Sequence, residues 1–181
     1  MDAQGMTEPE FLVLGLVAEM PRHGYQLARE IDDRGMREWT PIGFSSIYFL
    51  LGKLEKKRLV RSKEPARAKA KKVYSITAAG SKALVSQTVA ALANYRPTYS
   101  PVLLGMLHWP VLEKEQALAA LCARGEAIAA EATRLREIQF ERQPLPDFVE
   151  ALFDFSLGQL KAEEEWIART LDYMKTKPWL P

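Results

Sequence analysis

Ten of the chain's 25 Lys and Arg residues crowd between positions 53 and 72. They are Lys53, Lys56, Lys57, Arg58, Arg61, Lys63, Arg67, Lys69, Lys71 and Lys72, and only Glu55 and Glu64 oppose them. Such a run is either a solvated face or a set of cations able to neutralise the phosphates of a polyanion. Covalent chemistry has less to work with. The two histidines, His23 and His108, stand far apart, and Cys122 is the single cysteine. Paired carboxylates, metal-ligand spacing, a nucleophile elbow and a phosphate-cradling loop are all missing from the sequence. The sequence therefore points away from an enzyme and calls for no metal and no cofactor. Cys122, with Leu118 and Leu121 nearby, reads as a buried structural thiol.

The charge is divided along the chain. Residues 1–82 hold 15 Lys/Arg against 10 Asp/Glu, whereas residues 83–181 hold 10 against 13. A basic half joined to an acidic half suggests that one half meets a polyanion and the other does not. The N-terminus has no basic leader, and no apolar run reaches the length of a membrane span. A cytoplasmic protein is expected.

These charges need elements to carry them. Thr7, Pro9 and Glu10 spell a helix start, followed by a run that is apolar on most sides (Phe11, Leu12, Leu14, Leu16, Val17), so the first helix should lie centrally. The segment 21–24 ends it. A second helix over 25–33 carries Leu27, Ala28 and Ile31 on one face, and a third over 44–58 carries Ile47, Leu50, Leu51 and Leu54. Short strands are predicted around 59–62 and 73–76, with a basic loop between them. Three helices followed by such a hairpin is the layout of a winged helix-turn-helix.

Thr77 should cap a fourth helix reaching about residue 94, and Pro97 and Pro101 bracket a linker. A short apolar helix over 102–108 and long helices over 113–142 and 147–175 follow. On the long helices Leu118, Leu121, Ile128 and Leu135, and Phe153, Leu160, Ile167 and Leu171, fall at heptad-like spacing. The predicted fold is therefore mainly α. A winged helix-turn-helix over 1–82, with a three-helix core and a two-stranded wing, precedes an antiparallel helical region over 83–181. The heptad positions are assigned to dimerisation, an intramolecular bundle being the alternative.

With its apolar stripe turned inward, the third helix presents Ser45, Phe49, Gly52 and Lys56 outward, flanked by Tyr48 and Lys53. Ser45 and Ser46 open the helix, where a recognition helix reaches base edges. Tyr48 and Lys53 suit phosphate oxygens, and Phe49 suits a thymine methyl or its own domain's core. Lys56, Arg67, Lys69, Lys71 and Lys72 complete the basic surface. His23 reads as a turn or phosphate-facing residue.

The segment 15–27, with His23-Gly24-Tyr25, together with Ser46-Ile47-Tyr48, Leu54-Glu55, Leu59-Val60 and Tyr74-Ser75-Ile76-Thr77-Ala78-Ala79-Gly80, resembles the PadR family of transcriptional regulators. The resemblance covers roughly residues 10–85. It implies a homodimer that binds an inverted repeat in double-stranded DNA, usually represses, and often leaves DNA when a small aromatic or hydrophobic compound binds. It adds Tyr25 to the DNA-contacting candidates alongside Ser46, Tyr48 and the Lys53 region. Phe49-Leu50 stands where the family commonly has Pro-Thr, and Gly52-Lys53 where it commonly has an Arg before Leu-Glu. For an effector, Tyr95, Tyr99, Met106 and Trp109 are the candidate lining, the alternative being ordinary core. Two other functional readings stay open: a regulator without a small-molecule ligand, and a winged helix that binds protein.

Overall fold

The computed structural model describes residues 6–38, 42–43, 46–63 and 72–179. Ser45, Arg67, Lys69 and Lys71, all expected at the DNA surface, lie outside the described residues. The chain divides into two compact units, Met1–Pro97 and Thr98–Pro181.

The first unit is built on α1 (Glu8–Glu19). Its start is a reciprocal cap: the Glu10 amide donates to Thr7 Oγ1 at 3.4 Å, and the Thr7 amide donates to Glu10 Oε2 at 2.9 Å. Val13, Leu14, Leu16 and Val17 follow, all buried, because a helix apolar on most sides must be enclosed. Pro21 disfavours helical backbone at Met20, which is extended at φ −165° and ends α1. α2 (Gly24–Asp33) contributes Leu27, Ala28 and Ile31 to the same core, and α3 (Ser46–Lys56) contributes Ile47, Leu50, Leu51 and Leu54.

A closed ionic ring ties the end of α1 to α2. Arg22 donates to Glu19 at 2.9 Å and to Glu30 at 2.6 Å, and Arg34 reaches the same carboxylates at 2.7 and 2.5 Å. The Arg22 side chain is 8% exposed, so both carboxylates are needed to offset its desolvation.

The expected two-stranded wing is present, and the sheet carries a third strand besides. β2 (Val60–Lys63) and β3 (Val73–Ile76) pair antiparallel, and a third strand, β1 (Arg22–His23), pairs with the other edge of β3. Tyr74 stands opposite both Arg22 and Ser62. A strand of two residues carries no periodicity, so the sequence shows it only as a helix terminator. It forms because the backbone left extended after Pro21 runs along an open edge. The tip of the wing lies outside the described residues.

α3 ends where Leu59 N–H donates to Leu54 O at 2.9 Å and Arg58 N–H to Glu55 O at 2.9 Å. Arg58 takes the left-handed conformation this closure requires, at φ 59°, where glycine is the usual occupant. The next junction is as tight. Thr77 caps α4 (Ala78–Ala93), its Oγ1 accepting from the Gly80 amide at 2.9 Å and donating to Arg58 O at 2.8 Å. Leu84 packs against the first core. α4 therefore belongs to the first unit, and the boundary falls after Pro97 rather than at 82/83, where the sequence suggests it.

The second unit contains α5 (Pro101–His108), α6 (Lys114–Glu141) and α7 (Asp147–Thr176). α6 and α7 form an antiparallel hairpin, with Arg124 bonded to Glu163 at 2.5 Å and Gln139 to Glu150 at 2.6 Å. The heptad positions serve this hairpin within one chain. Leu121, Ile128, Leu135, Phe153 and Ile167 are buried, while Leu118, Leu160 and Leu171 are half-buried. The half-buried positions keep part of their surface open beside the hairpin contact. Cys122 is exposed on α6, against the expectation of a buried thiol.

Gly80 tests the α4 junction. A Cβ there would stand 2.0 Å from the Leu59 carbonyl oxygen and 2.8 Å from Ile76 Cγ1. Gly80→Ala should destabilise the first unit by about 1–3 kcal/mol or more, as overpacking against backbone does. Thermal melting reads this as a fall of about 4–8 °C per kcal/mol in a domain this small. An unchanged melting temperature would mean that α4 docks on Leu59 differently.

Candidate nucleic-acid interface

α3 buries one side and leaves the other to solvent, and the division follows its sequence. Ile47, Leu51 and Leu54 are fully buried, whereas Tyr48 is 51% and Phe49 63% exposed. Lys53 and Lys56 are exposed one and two turns further along, and Ser46 is half-buried at the helix start. Lys53 Nζ lies 4.7 Å from the centre of the Phe49 ring, so an ammonium and an aromatic face share one patch. Two large, partly exposed aromatic rings thus stand beside two exposed lysines.

Elements outside α3 extend this patch. Tyr25, in the first turn of α2, is 41% exposed and stacks on His23 with ring centres 5.5 Å apart. His23 Nδ1 lies 3.0 Å from the Lys72 carbonyl oxygen and so donates to it, fastening the start of α2 to the base of the wing. The His23 amide donates to Gln26 Oε1 at 2.8 Å. Lys72 is exposed at the foot of β3. The Tyr48 ring packs over Gly24, and burial, then the charges of Glu55 and Tyr48, push the Tyr74 phenol up. The structure thus gathers Tyr25, Tyr48, His23 and the Lys72 backbone around the α2 start, with Phe49 and Lys53 paired on α3.

Among the described residues of the basic run, Lys57 already has a partner within the chain. Lys57 turns inward, its Nζ 3.0 Å from Glu10 Oε1, and Glu10 is 1% exposed. Burial raises the Glu10 carboxyl, but the Thr7 amide, the Lys57 ammonium and the Thr7 hydroxyl outweigh it and hold it below the ordinary 4.5. Glu55 is likewise occupied. It accepts from the Ser62 amide at 3.0 Å, and this bond, against partial burial, lowers its pKa together with the charge of Lys72. Neither the Glu10–Lys57 pair nor the Arg22 ring is foreseen from the sequence. An acidic residue at the third position of α1 is visible as a cap, but its second partner, 47 residues away, leaves no local signal.

In the second unit Met106 and Trp109 line a cavity of about 260 Å³ with Gly105, Leu112, Leu121 and Arg124. Trp109 also packs against Trp179, with ring centres 5.6 Å apart. Tyr95 and Tyr99 are 91% and 85% exposed in the extended stretch that follows α4 and do not line this cavity. Of the four residues offered as one effector site, the cavity of the second unit takes Met106 and Trp109. The first unit has its own apolar groove of about 560 Å³, walled by Phe11, Leu12 and Leu16 of α1, Leu84 of α4, and Met36. Among the described residues no group of His, Cys, Asp and Glu could hold a metal ion, and no helix is long and apolar enough to cross a membrane.

Three core helices, a small antiparallel sheet and a solvent-facing third helix define the first unit as a winged helix-turn-helix. Residues 13–86 match the Transcriptional regulator PadR-like family. No curated protein matches the chain. Among solved structures, Bacillus subtilis PadR in complex with operator DNA is similar at TM-score 0.73 and 19% identity, over 93% of this chain and 99% of that one. The same B. subtilis protein in complex with p-coumaric acid is similar at TM-score 0.73 and 20% identity, over 92% and 98%. A PadR-like transcriptional regulator from Bacillus cereus is similar at TM-score 0.69 and 20% identity, over 94% and 100%. At these identities the likeness concerns the fold, and it extends through both units.

The exposed lysines of α3 give a direct expectation. Lys53→Ala combined with Lys56→Ala should weaken binding to every duplex and reduce the slope of log affinity against log salt by about one for each phosphate no longer neutralised. Titrations at several salt concentrations measure both. A slope equal to that of the wild type would remove these lysines from the interface.

Proposed function

We propose that this chain is a dimeric, sequence-specific transcriptional regulator of the repressor type, acting on an inverted repeat in double-stranded DNA. The observation that carries the reading is the outer face of α3. Tyr48, Phe49, Lys53 and Lys56 stand exposed there, with Ser46 at the helix start and Tyr25 and Lys72 alongside. Cations and hydroxyls suit phosphate oxygens, and the Phe49 ring suits a thymine methyl. Arg67, Lys69 and Lys71 would extend the contact to the flanking backbone. The complex of B. subtilis PadR with operator DNA supports the same use of the fold.

A second copy is the economical cover for the apolar surface each unit leaves open. Val85, Val89 and Leu92 recur on α4 at steps of about one turn, and all three are exposed. So are Phe148, Leu152 and Phe155 on α7. These two stripes, rather than the heptad residues of the hairpin, are the proposed dimer contacts. Release from DNA by a small aromatic or hydrophobic effector belongs to the same reading. B. subtilis PadR in complex with p-coumaric acid supports it, and the cavity beside Met106 and Trp109 is the proposed effector site. A cytoplasmic location follows from a nucleic-acid partner.

Selection of bound sequences from a random duplex pool, with sedimentation of the free protein, tests the reading. The expected outcome is a dimer that enriches an inverted repeat with half-sites about one helical turn apart. A pool that stays random, with retention lost as salt rises, would leave only a weak polyanion surface. The open protein-binding alternative would then take precedence.

A further inference from the structure

Position 24 has no room for a side chain, although its backbone does not ask for glycine. Gly24 opens α2 with φ outside the left-handed region, so alanine would fit the backbone and is the better helix former. Space is the constraint. A Cβ at position 24 would lie 2.6 Å from Tyr48 Cε1, 3.0 Å from Cζ and 3.1 Å from Cδ1. Three atoms of one ring meet that point together, so a bond rotation at the tip of a flexible chain cannot relieve the clash. The whole phenol would have to leave. Gly52, on the same helix as Tyr48, has open space around its Cβ position, so the requirement belongs to position 24 and its partner.

The elements beside position 24 are themselves tied down. His23 is fastened to Lys72 O at 3.0 Å and stacked on Tyr25, and Tyr74 is held in register opposite Arg22. Tyr48 nevertheless remains half exposed, so its phenol is presented while its ring is seated. We propose that Gly24 is a positioning residue, whose missing side chain seats the Tyr48 ring on the first turn of α2 and thereby sets where the phenol of α3 meets DNA. The same seat couples the two helices of the helix-turn-helix, because Gly24 begins one and Tyr48 lies in the first turn of the other. This inference rests on the DNA-binding reading above.

A double-mutant cycle on the full chain tests it, using the enriched duplex, or otherwise a random duplex at low salt. Gly24→Ala should lower affinity roughly tenfold or more, as displacing a positioned side chain does. Tyr48→Ala should lower it comparably. The double variant should bind no more weakly than Tyr48→Ala alone, because removing the ring leaves the new methyl group in empty space. Melting temperatures keep misfolding apart from weakened binding by a folded protein, and a Gly24→Ala protein that unfolds should regain its fold in the Tyr48→Ala background. Losses that multiply independently, or a Gly24→Ala protein that binds as the wild type does, would overturn the proposal. A readout without DNA separates the two readings. The Gly24 α-proton that takes the place of Cβ should be shifted upfield by the ring current of Tyr48 and return on Tyr48→Ala. An unshifted proton overturns the seat itself. A shifted proton in a chain that binds no duplex would instead defeat the DNA reading and, with it, the role assigned to Gly24.

Discussion

α1 must be enclosed on nearly every side, and that constraint sets the position of everything else in the first unit. Its apolar residues take α2, α3, α4 and β3 as walls, and its one buried charge takes a partner from beyond α3. Glu10 closes the cap of α1 and grips Lys57 just after α3, so the axis of the exposed helix is referred directly to the central one. The sign of its acidity follows. Burial alone would raise the carboxyl, and the donors around it reverse that. A group held low in the folded state contributes its stability above the ordinary carboxylate range, and that contribution fades as pH falls through the lowered value. The pair therefore contributes at neutral pH, and its contribution fades in acid.

Much of this is legible from residue types. Thr7 with Glu10 announces the first helix, and Thr77 the fourth. The stripe at Ile47, Leu50, Leu51 and Leu54 announces both the third helix and the face it hides. The exposed side of that helix follows by subtraction, so Tyr48, Phe49, Lys53 and Lys56 emerge where the sequence placed them. What escapes is non-local. Arg22 shares carboxylates with Arg34 through folding alone, and β1 is two residues long. The role of Lys57 is hidden by its company, since one cation in a run of ten shows no sign of being turned inward.

The heptads of α6 and α7 are legible as a seam, but a seam does not name its partner. Spacing alone cannot tell a hairpin from a dimer, because both bury the same stripe against a helix. The short link at Gln143 to Pro146 brings α7 back along α6, so part of the stripe is covered within one chain. Phe148 and Phe155 lie off the heptad and stay exposed, and no periodic rule singles them out. Tyr99 is absent from the lining that Met106 and Trp109 share for a related reason. Aromatic residues close in sequence need a common element to become close in space, and the stretch after α4 supplies none.

The proposed function turns on which face of the first unit would meet DNA. The most direct measurement is the backbone amide spectrum of the full chain, followed as a duplex is added. The largest changes should fall on the outer face of α3, on the first turn of α2 and around Lys72, with the α6–α7 hairpin little affected. Changes concentrated on the hairpin, or a spectrum that does not change at saturating duplex, would contradict it.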